Sequence, residues 1–271
     1  MVITILGVVS SMMAIFMRGP IDAYFAVARR AALSDLSDTV FRRIERDVRK
    51  ALPNSLRTPS TAGANQCLEF IPTKIGGRYR SDDTAAGLSF DAADTSFNML
   101  WRNSSLPADQ QIVINDFIAV YNLGPNVPTN DAYNQNSPPV NTALVTSLGT
   151  EFQNTSPLTG WETPIAIANV TAPFPLESGS KRFHVIPAAE RVVSYVCSGG
   201  KLYRNVNSSS FDSKCNATDA VIATNVSSCY FDYSDANLSR NALLRIVLKV
   251  NDSSSKESVQ MQQEIHVSNT P

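Results

Sequence analysis

Histidine is scarce in this sequence: His184 and His266 are its two examples among 271 residues. A Ser–His–Asp catalytic site would need one of them as its base, and both lie in stretches with the alternation of β-strands. The sequence also lacks the GxSxG pattern of many hydrolases and the GxxxxGKS/T and GxGxxG patterns of nucleotide-binding sites. These absences argue against an enzyme, and we expect neither catalytic residues nor a cofactor site.

Cysteine is also sparse, and none of the four cysteines has CxxC spacing. With two histidines in the chain, this pattern argues against a zinc site. An even cysteine count in a Ser- and Asn-rich chain behind an apolar segment instead predicts two disulfides formed in an oxidising compartment. Three connectivities are possible. We favour Cys197–Cys215, which closes a local loop, together with Cys67–Cys229, which joins early and late strands; buried free thiols are the alternative.

Charged residues are few: they make up 17% of the sequence, against roughly 25% in average globular proteins. The sequence is rich in Ser, Thr, Asn and Pro instead. This composition favours a β-rich extracytoplasmic domain. The net charge of -1 gives no indication of a nucleic-acid partner. Residues 1–57 hold nine Lys or Arg against five Asp or Glu. We interpret this basic excess as a solvated helix face rather than a contact with anionic lipid.

The first 17 residues contain no charge, and Arg18 ends the run. A signal peptide would have a basic n-region and a small-residue cleavage site, and neither is found here. A membrane-spanning helix needs about 20 apolar residues, so residues 1–17 are slightly short. We predict a truncated transmembrane helix over 1–17, with lipid as its partner and Arg18 reaching towards the interface. A buried core helix is the alternative.

An amphipathic continuation of this helix is predicted over residues 18–53. Between residues 21 and 52 there is neither Gly nor Pro, and Pro53 ends the pattern. Gly19 and Pro20 predict a kink between the membrane half and the half that packs on a domain. Steps of three and four residues place the apolar side chains on one stripe. The stripe consists of Leu33, Leu36, Val40, Phe41, Ile44, Val48, Ala51 and Leu52.

Residues 54–271 have the pattern of a β-rich globular head. Candidate strands lie at 67–72, 97–101, 111–123, 165–170, 182–187, 190–197, 201–206, 220–226, 228–235, 242–251 and 258–267. The SGG turn at 198–200 and the NDSSSKE segment at 251–257 predict two hairpins. Long turn-rich segments at 124–141 and 154–164 predict surface loops. A helix followed by antiparallel strands is a segregated α+β order.

Two groups of side chains in the head have the chemistry of ligand sites. Acidic residues at Asp82, Asp83, Asp91 and Asp94 lack EF-hand spacing, and we interpret them as a solvated loop rather than a metal site. Aromatic residues are able to line a sugar or protein site, although most of them fall in strand patterns and are expected in the core. These are Trp101, Trp161, Tyr121, Tyr133, Tyr203 and Tyr230, of which Trp161 is predicted to be exposed.

Several stretches resemble a known family. VITILGVVSSMMAIFM resembles the membrane-helix half of type IV pilin-like proteins, a class that includes the pseudopilins of type II secretion. The segments at 23–57, 67–80, 192–204, 226–233 and 265–271 resemble the biogenesis minor pilin O family of the MSHA (mannose-sensitive haemagglutinin) pilus. The strand segments are shared in looser form with J-type pseudopilins. The basic leader, its peptidase site and the glutamate of the family are missing from this sequence, and we expect them to be encoded upstream of Met1.

The resemblance implies a long N-terminal helix packed on an antiparallel head, without enzymatic activity. It implies a single-pass inner-membrane subunit with a periplasmic head, which primes a pilus or lies at its tip. The implied partners are other pilin subunits and the inner-membrane assembly machinery. Gly7, Ser10 and Ser11 provide small surfaces for contact with other helices. A J-like pseudopilin and a membrane-anchored glycan-binding adhesin are the alternatives, and a secreted hydrolase would be indicated if His184→Ala abolished a hydrolytic activity.

Overall fold

The structure is a computed structural model that describes residues 2–59, 66–81, 86–135, 138–155, 160–168, 172–216, 219–234, 241–253, 255 and 257–271. One long α-helix comes first, and fourteen strands follow it in the described residues. Neighbouring strands pair antiparallel in each of three sheets. The predicted α+β order is therefore confirmed.

Helix α1 extends over Val2–Val48 as a single element, with Pro20 inside it. The prediction that the helix reaches Pro53 is wrong by about one turn. Beyond Val48 the backbone pairs with the head, because the Leu52 amide donates to the Ile71 carbonyl at 2.7 Å. Ala51 forms an isolated bridge with Pro72. The helix therefore ends before Pro53, because the backbone of this segment forms its hydrogen bonds with the segment at Ile71.

The strands form three sheets. A four-stranded sheet has the order β1-β9-β10-β11, and a three-stranded sheet has the order β12-β13-β14. A seven-stranded sheet has the order β2-β8-β4-β5-β7-β3, with β6 paired to β7. Their bounds are β1 Cys67–Phe70, β2 Ile75–Arg78, β3 Ser96–Met99, β4 Phe117–Val120, β5 Thr142–Leu148, β6 Phe152–Asn154, β7 Gly160–Ala168, β8 Arg182–Ile186, β9 Val192–Ser198, β10 Lys201–Asn207, β11 Ala220–Thr224, β12 Val226–Ser234, β13 Asn241–Asn251 and β14 Ser258–Ser268.

The two ends of the seven-stranded sheet are joined. Tyr79, just after β2, forms a bridge with Met99 of β3, and the Leu100 amide donates to the Arg78 carbonyl at 2.9 Å. The interior is filled by apolar side chains of β3, β4, β5, β7 and β8. Phe97 and Phe183 meet edge to face inside it, with ring centroids 5.5 Å apart. This joined sheet forms the part of the head that contains the long loops.

The helix stripe packs against the other two sheets. Leu33, Val40, Phe41, Ile44 and Val48 are buried with apolar residues of β12, β13 and β14 and with Leu68, Val193 and Leu202. Fully burying side chains of this size stabilises a fold by about 1.5–3 kcal/mol each. The predicted stripe is confirmed at these positions, while Leu36 is partly buried and Leu52 belongs to a neighbouring cluster. The amphipathic half of the helix is therefore part of the head's core.

The predicted strands are confirmed in most cases, and both hairpins form. The turn between β9 and β10 uses Gly199 and Gly200 at φ values of 56° and 74°, which glycine adopts without strain. The candidate strand at 111–123 is reduced to β4, and the predicted loop at 154–164 includes the start of β7. Strands β2, β5 and β6 were not predicted. Of these, β2 reads IGGR and β6 has three residues, so neither has a clear alternating pattern.

All four cysteines form disulfides, but the favoured pairing is wrong. The bonds join Cys67 to Cys215 and Cys197 to Cys229. Cys67 is opposite Val196 in the β1–β9 register, so those two side chains share a face. Cys197 is the next residue along β9 and points to the other face, towards β12. Side-chain alternation therefore separates Cys67 from Cys197 and assigns each a partner on its own side.

Candidate functional site

The N-terminal half of α1 is exposed over the side chains that the structure describes. Every side chain described between Val2 and Phe25 is exposed, including Ile3 at 85% and Phe16 at 82%. The helix is long and apolar enough to cross a membrane. At 1.5 Å per residue, residues 2–17 rise about 24 Å and residues 2–25 about 36 Å, against a hydrocarbon core of about 30 Å. A span over this stretch would include Arg18, whose long side chain is able to reach the interface.

The small residues predicted for helix contact lie on this exposed half. Gly7, Ser10 and Ser11 share one helix face by their spacing. An added Cβ at Gly7 would meet no atom within 4 Å, and the Ser11 hydroxyl donates to the Val8 carbonyl at 2.8 Å. Contact with other helices through this face stays a prediction, as does a bend at Gly19 and Pro20. Met1 lies outside the described residues.

The helix meets the head at a cluster of charges around Arg29. The Arg29 Nε lies 3.2 Å from a Glu257 carboxylate oxygen and 3.8 Å from one of Asp252. Arg30 lies 3.7 Å from the other Glu257 oxygen. Both acids belong to the connection between β13 and β14. This charge cluster marks the point where the free part of the helix becomes the packed part.

A second polar junction holds the far end of the helix. The Asp47 carboxylate accepts from the Tyr195 hydroxyl and from the Arg204 Nε, each at 2.8 Å. Arg204 also donates to both oxygens of Glu190 at 3.0 Å. Burial raises the pKa of Tyr195, and the nearby Asp47 charge raises it further. Charged and neutral donors on β9 and β10 therefore fix the last turn of α1.

The predicted aromatic residues have different surroundings. Trp161 is 38% exposed, which agrees with the prediction, although it lies on β7 rather than in a loop. Its ring is covered by the Arg102 guanidinium, 4.4 Å from the centroid. Trp101 was expected in the core and is instead 60% exposed. Tyr133 stacks with Arg57, and Tyr230 is 42% exposed. Trp101 is thus the most exposed aromatic side chain described in the head.

The histidines do not assemble a catalytic relay in the described residues. His184 makes no side-chain hydrogen bond there, and its Nε2 atom is buried without a partner. Burial, with a contribution from Arg182, lowers the pKa of His184 to about 4. Of the acidic candidates, Asp94 accepts from the Ser89 amide at 2.6 Å, while Asp82 and Asp83 lie outside the described residues. No group of three metal-ligating side chains occurs in the described part of the chain.

Comparison of the chain with family models, with curated proteins and with solved structures found no match. Its function is therefore inferred from its own residues and contacts.

Proposed function

We propose that this chain is a non-catalytic minor subunit of a type IV pilus of the MSHA type, acting in priming or at the tip. The observation that carries the proposal is the division of α1 into two halves. One half is apolar and exposed on all sides, and the other is half-buried against the head. A helix that is apolar all round has to be covered by lipid or by other apolar helices.

The proposed setting is the bacterial inner membrane, with the head in the periplasm. Two disulfides favour an oxidising compartment for the head. The resemblance of residues 23–57 and of several strand segments to the minor pilin O family agrees with this arrangement. Other pilin subunits and the inner-membrane assembly machinery would then be its partners, and no chemical reaction is required.

A photo-crosslinking residue on the helix tests this role in bacteria that express the full chain and produce pili. We place it at Ser10, on the face of Gly7, and in a matched control at Val9, about 200° around the helix axis from Gly7. We expect Ser10 to crosslink to other pilin-like helices and Val9 to react mainly with lipid. Crosslinks from Ser10 to type II secretion pseudopilins would favour the J-like alternative instead.

Membrane fractionation provides the second part of the test. Val9→Arg introduces a charge that costs about 2.5–3.5 kcal/mol at the centre of a membrane helix on insertion scales. We expect this variant to leave the membrane fraction and to fail to enter pili. Recovery of the parent chain in the soluble periplasm, or normal pili in cells that lack it, would contradict the proposal.

A further inference from the structure

The outer face of β2 and β8 carries two arginines that oppose each other. Arg78 is directly opposite Arg182 in the register of the pair, and Gly76 is opposite His184. The intervening pair is Gly77 and Phe183, and Phe183 is fully buried inside the sheet. Because successive side chains alternate, Arg78, Arg182 and His184 share the opposite, outward face.

These two arginines lack acidic partners in the described part of the chain. Both residues are exposed, and neither guanidinium forms an ion pair or hydrogen bond with a described residue. Arg80 and Arg102, by contrast, pair with Glu162 and Glu151. Like charges directly opposite each other on neighbouring strands destabilise a sheet. An anion that bridged the two guanidinium groups would offset this repulsion.

The arginines lie at the edge of an apolar cleft of about 540 Å³. One wall is formed by β2 and β8. The other is formed by Met99, Leu100, Trp101 and Leu106, with Trp101 at 60% exposure. Gly76 has no side chain in the first wall, and a Cβ added there would lie in contact with the His184 Nδ1 at 3.4 Å. The cleft therefore combines an exposed indole surface with two cationic groups.

His184 forms part of the wall of the same cleft as a neutral side chain. Its Nε2 atom is buried and has no hydrogen-bond partner, and leaving such an atom unpaired is costly. Burial and the neighbouring Arg182 keep the ring neutral at physiological pH. The Nε2 atom is closed off from the cleft opening, so His184 contributes to the wall of the cleft rather than a contact for the ligand.

We propose that this cleft binds a saccharide that carries a carboxylate. The Arg78 and Arg182 guanidinium groups suit the carboxylate, because arginine makes paired hydrogen bonds with planar anions. The exposed Trp101 indole suits the apolar face of a sugar ring. This site does not depend on the proposed role in a pilus, since all of its residues belong to the head.

The test uses the full chain in detergent micelles. Trp101 and Trp161 are the only two tryptophans in the sequence, so Trp161→Phe leaves Trp101 as the only indole reporter. We titrate this variant with 3′-sialyllactose and with tri-galacturonate, each against its neutral counterpart, lactose or the methyl-esterified trimer. We expect a saturable change in Trp101 fluorescence and at least about tenfold tighter binding of one acidic probe over its counterpart.

Substitutions identify the groups responsible. In the same background, Arg182→Gln is expected to remove the preference for the acid, a loss of about tenfold or more, without lowering the melting temperature, because it relieves the repulsion with Arg78. Arg245→Gln, an exposed change on β13, is the matched control and should bind like the parent. Equal binding of acidic and neutral probes, an unchanged preference in Arg182→Gln, or no saturable change at millimolar concentrations of either acid would overturn the proposal.

Discussion

At the scale of single residues, we expect His184 to make the head sensitive to acid. Its ring is neutral in both folded and unfolded chains above about pH 6.5. Below that pH the His184 ring is protonated in the unfolded chain, while in the folded chain it stays neutral until about pH 4. The free energy of unfolding therefore decreases as the pH falls from about 6.5 to about 4, and the contribution of His184 to this decrease is up to about 3 kcal/mol.

We expect His184→Gln to remove this part of the acid sensitivity. The measurement is the melting temperature of the full chain in detergent between pH 7.5 and pH 4, as the difference between the variant and the parent. His266→Gln, at an exposed position on β14, is the control and should follow the parent curve. Parallel curves for parent and His184→Gln would show that protonation of His184 is not coupled to unfolding.

Gly77 shows why one strand was not predicted. A Cβ at this position would lie 2.6 Å from the Phe183 ring, so only glycine allows β2 to pass over it. The local pattern of IGGR gives little strand signal, because glycine has no side chain that alternates. The close approach to Phe183, a residue distant in the sequence, is what makes glycine suitable in this strand.

At the scale of elements, the disulfides tie strands of different sheets and loops together. The Cys67–Cys215 bond closes a sequence separation of 148 residues, and both half-cystines are buried. Loss of such a bond costs about 2–5 kcal/mol. The Cys197–Cys229 bond spans 32 residues and connects β9 to β12.

We expect peptide mapping of the unreduced, periplasmically expressed chain to recover Cys67 with Cys215 and Cys197 with Cys229. The double variant Cys67→Ser/Cys215→Ser should lower stability by the amount above, because the unfolded chain regains conformational freedom. Peptides that join Cys197 to Cys215 would contradict this connectivity. Four free thiols would contradict the proposed compartment as well.

At the scale of the whole molecule, the charge cluster at Arg29 lies where the exposed part of the helix meets the head. Each ion pair there is partly exposed and contributes less than about 1 kcal/mol. Apolar packing begins further along, at Leu33. We therefore expect the cluster to restrict the direction of the helix more than it stabilises the fold.

Glu257→Lys is expected to widen the range of helix directions, because it places a cation against Arg29 and Arg30. Spin labels at Ala23 and Gln260 report the distance between helix and head by pulsed electron resonance. Glu264→Lys, an exposed change on β14, is the matched control. A distance distribution for Glu257→Lys as narrow as that of the control would refute a restraining role for the cluster.

The sequence by itself determined the features that depend on neighbours along the chain. The apolar run, the stripe from Leu33 to Val48 and the two hairpins follow from periodicity and turn residues, which act over a few positions. The even cysteine count also indicated disulfides. Sequence reasoning placed Trp161 at the surface but missed Trp101, because an apolar strand pattern does not reveal which face is covered.

Only the tertiary structure decided the features that bring distant segments together. The disulfide pairing depends on which face of the paired strands β1 and β9 Cys67 and Cys197 occupy, and the end of α1 depends on a hydrogen bond to Ile71. The candidate cleft was not predicted, since Arg78 and Arg182 become neighbours solely through the β2–β8 register. Pairing between strands about a hundred residues apart is selected by the burial of the whole core, which no local pattern encodes.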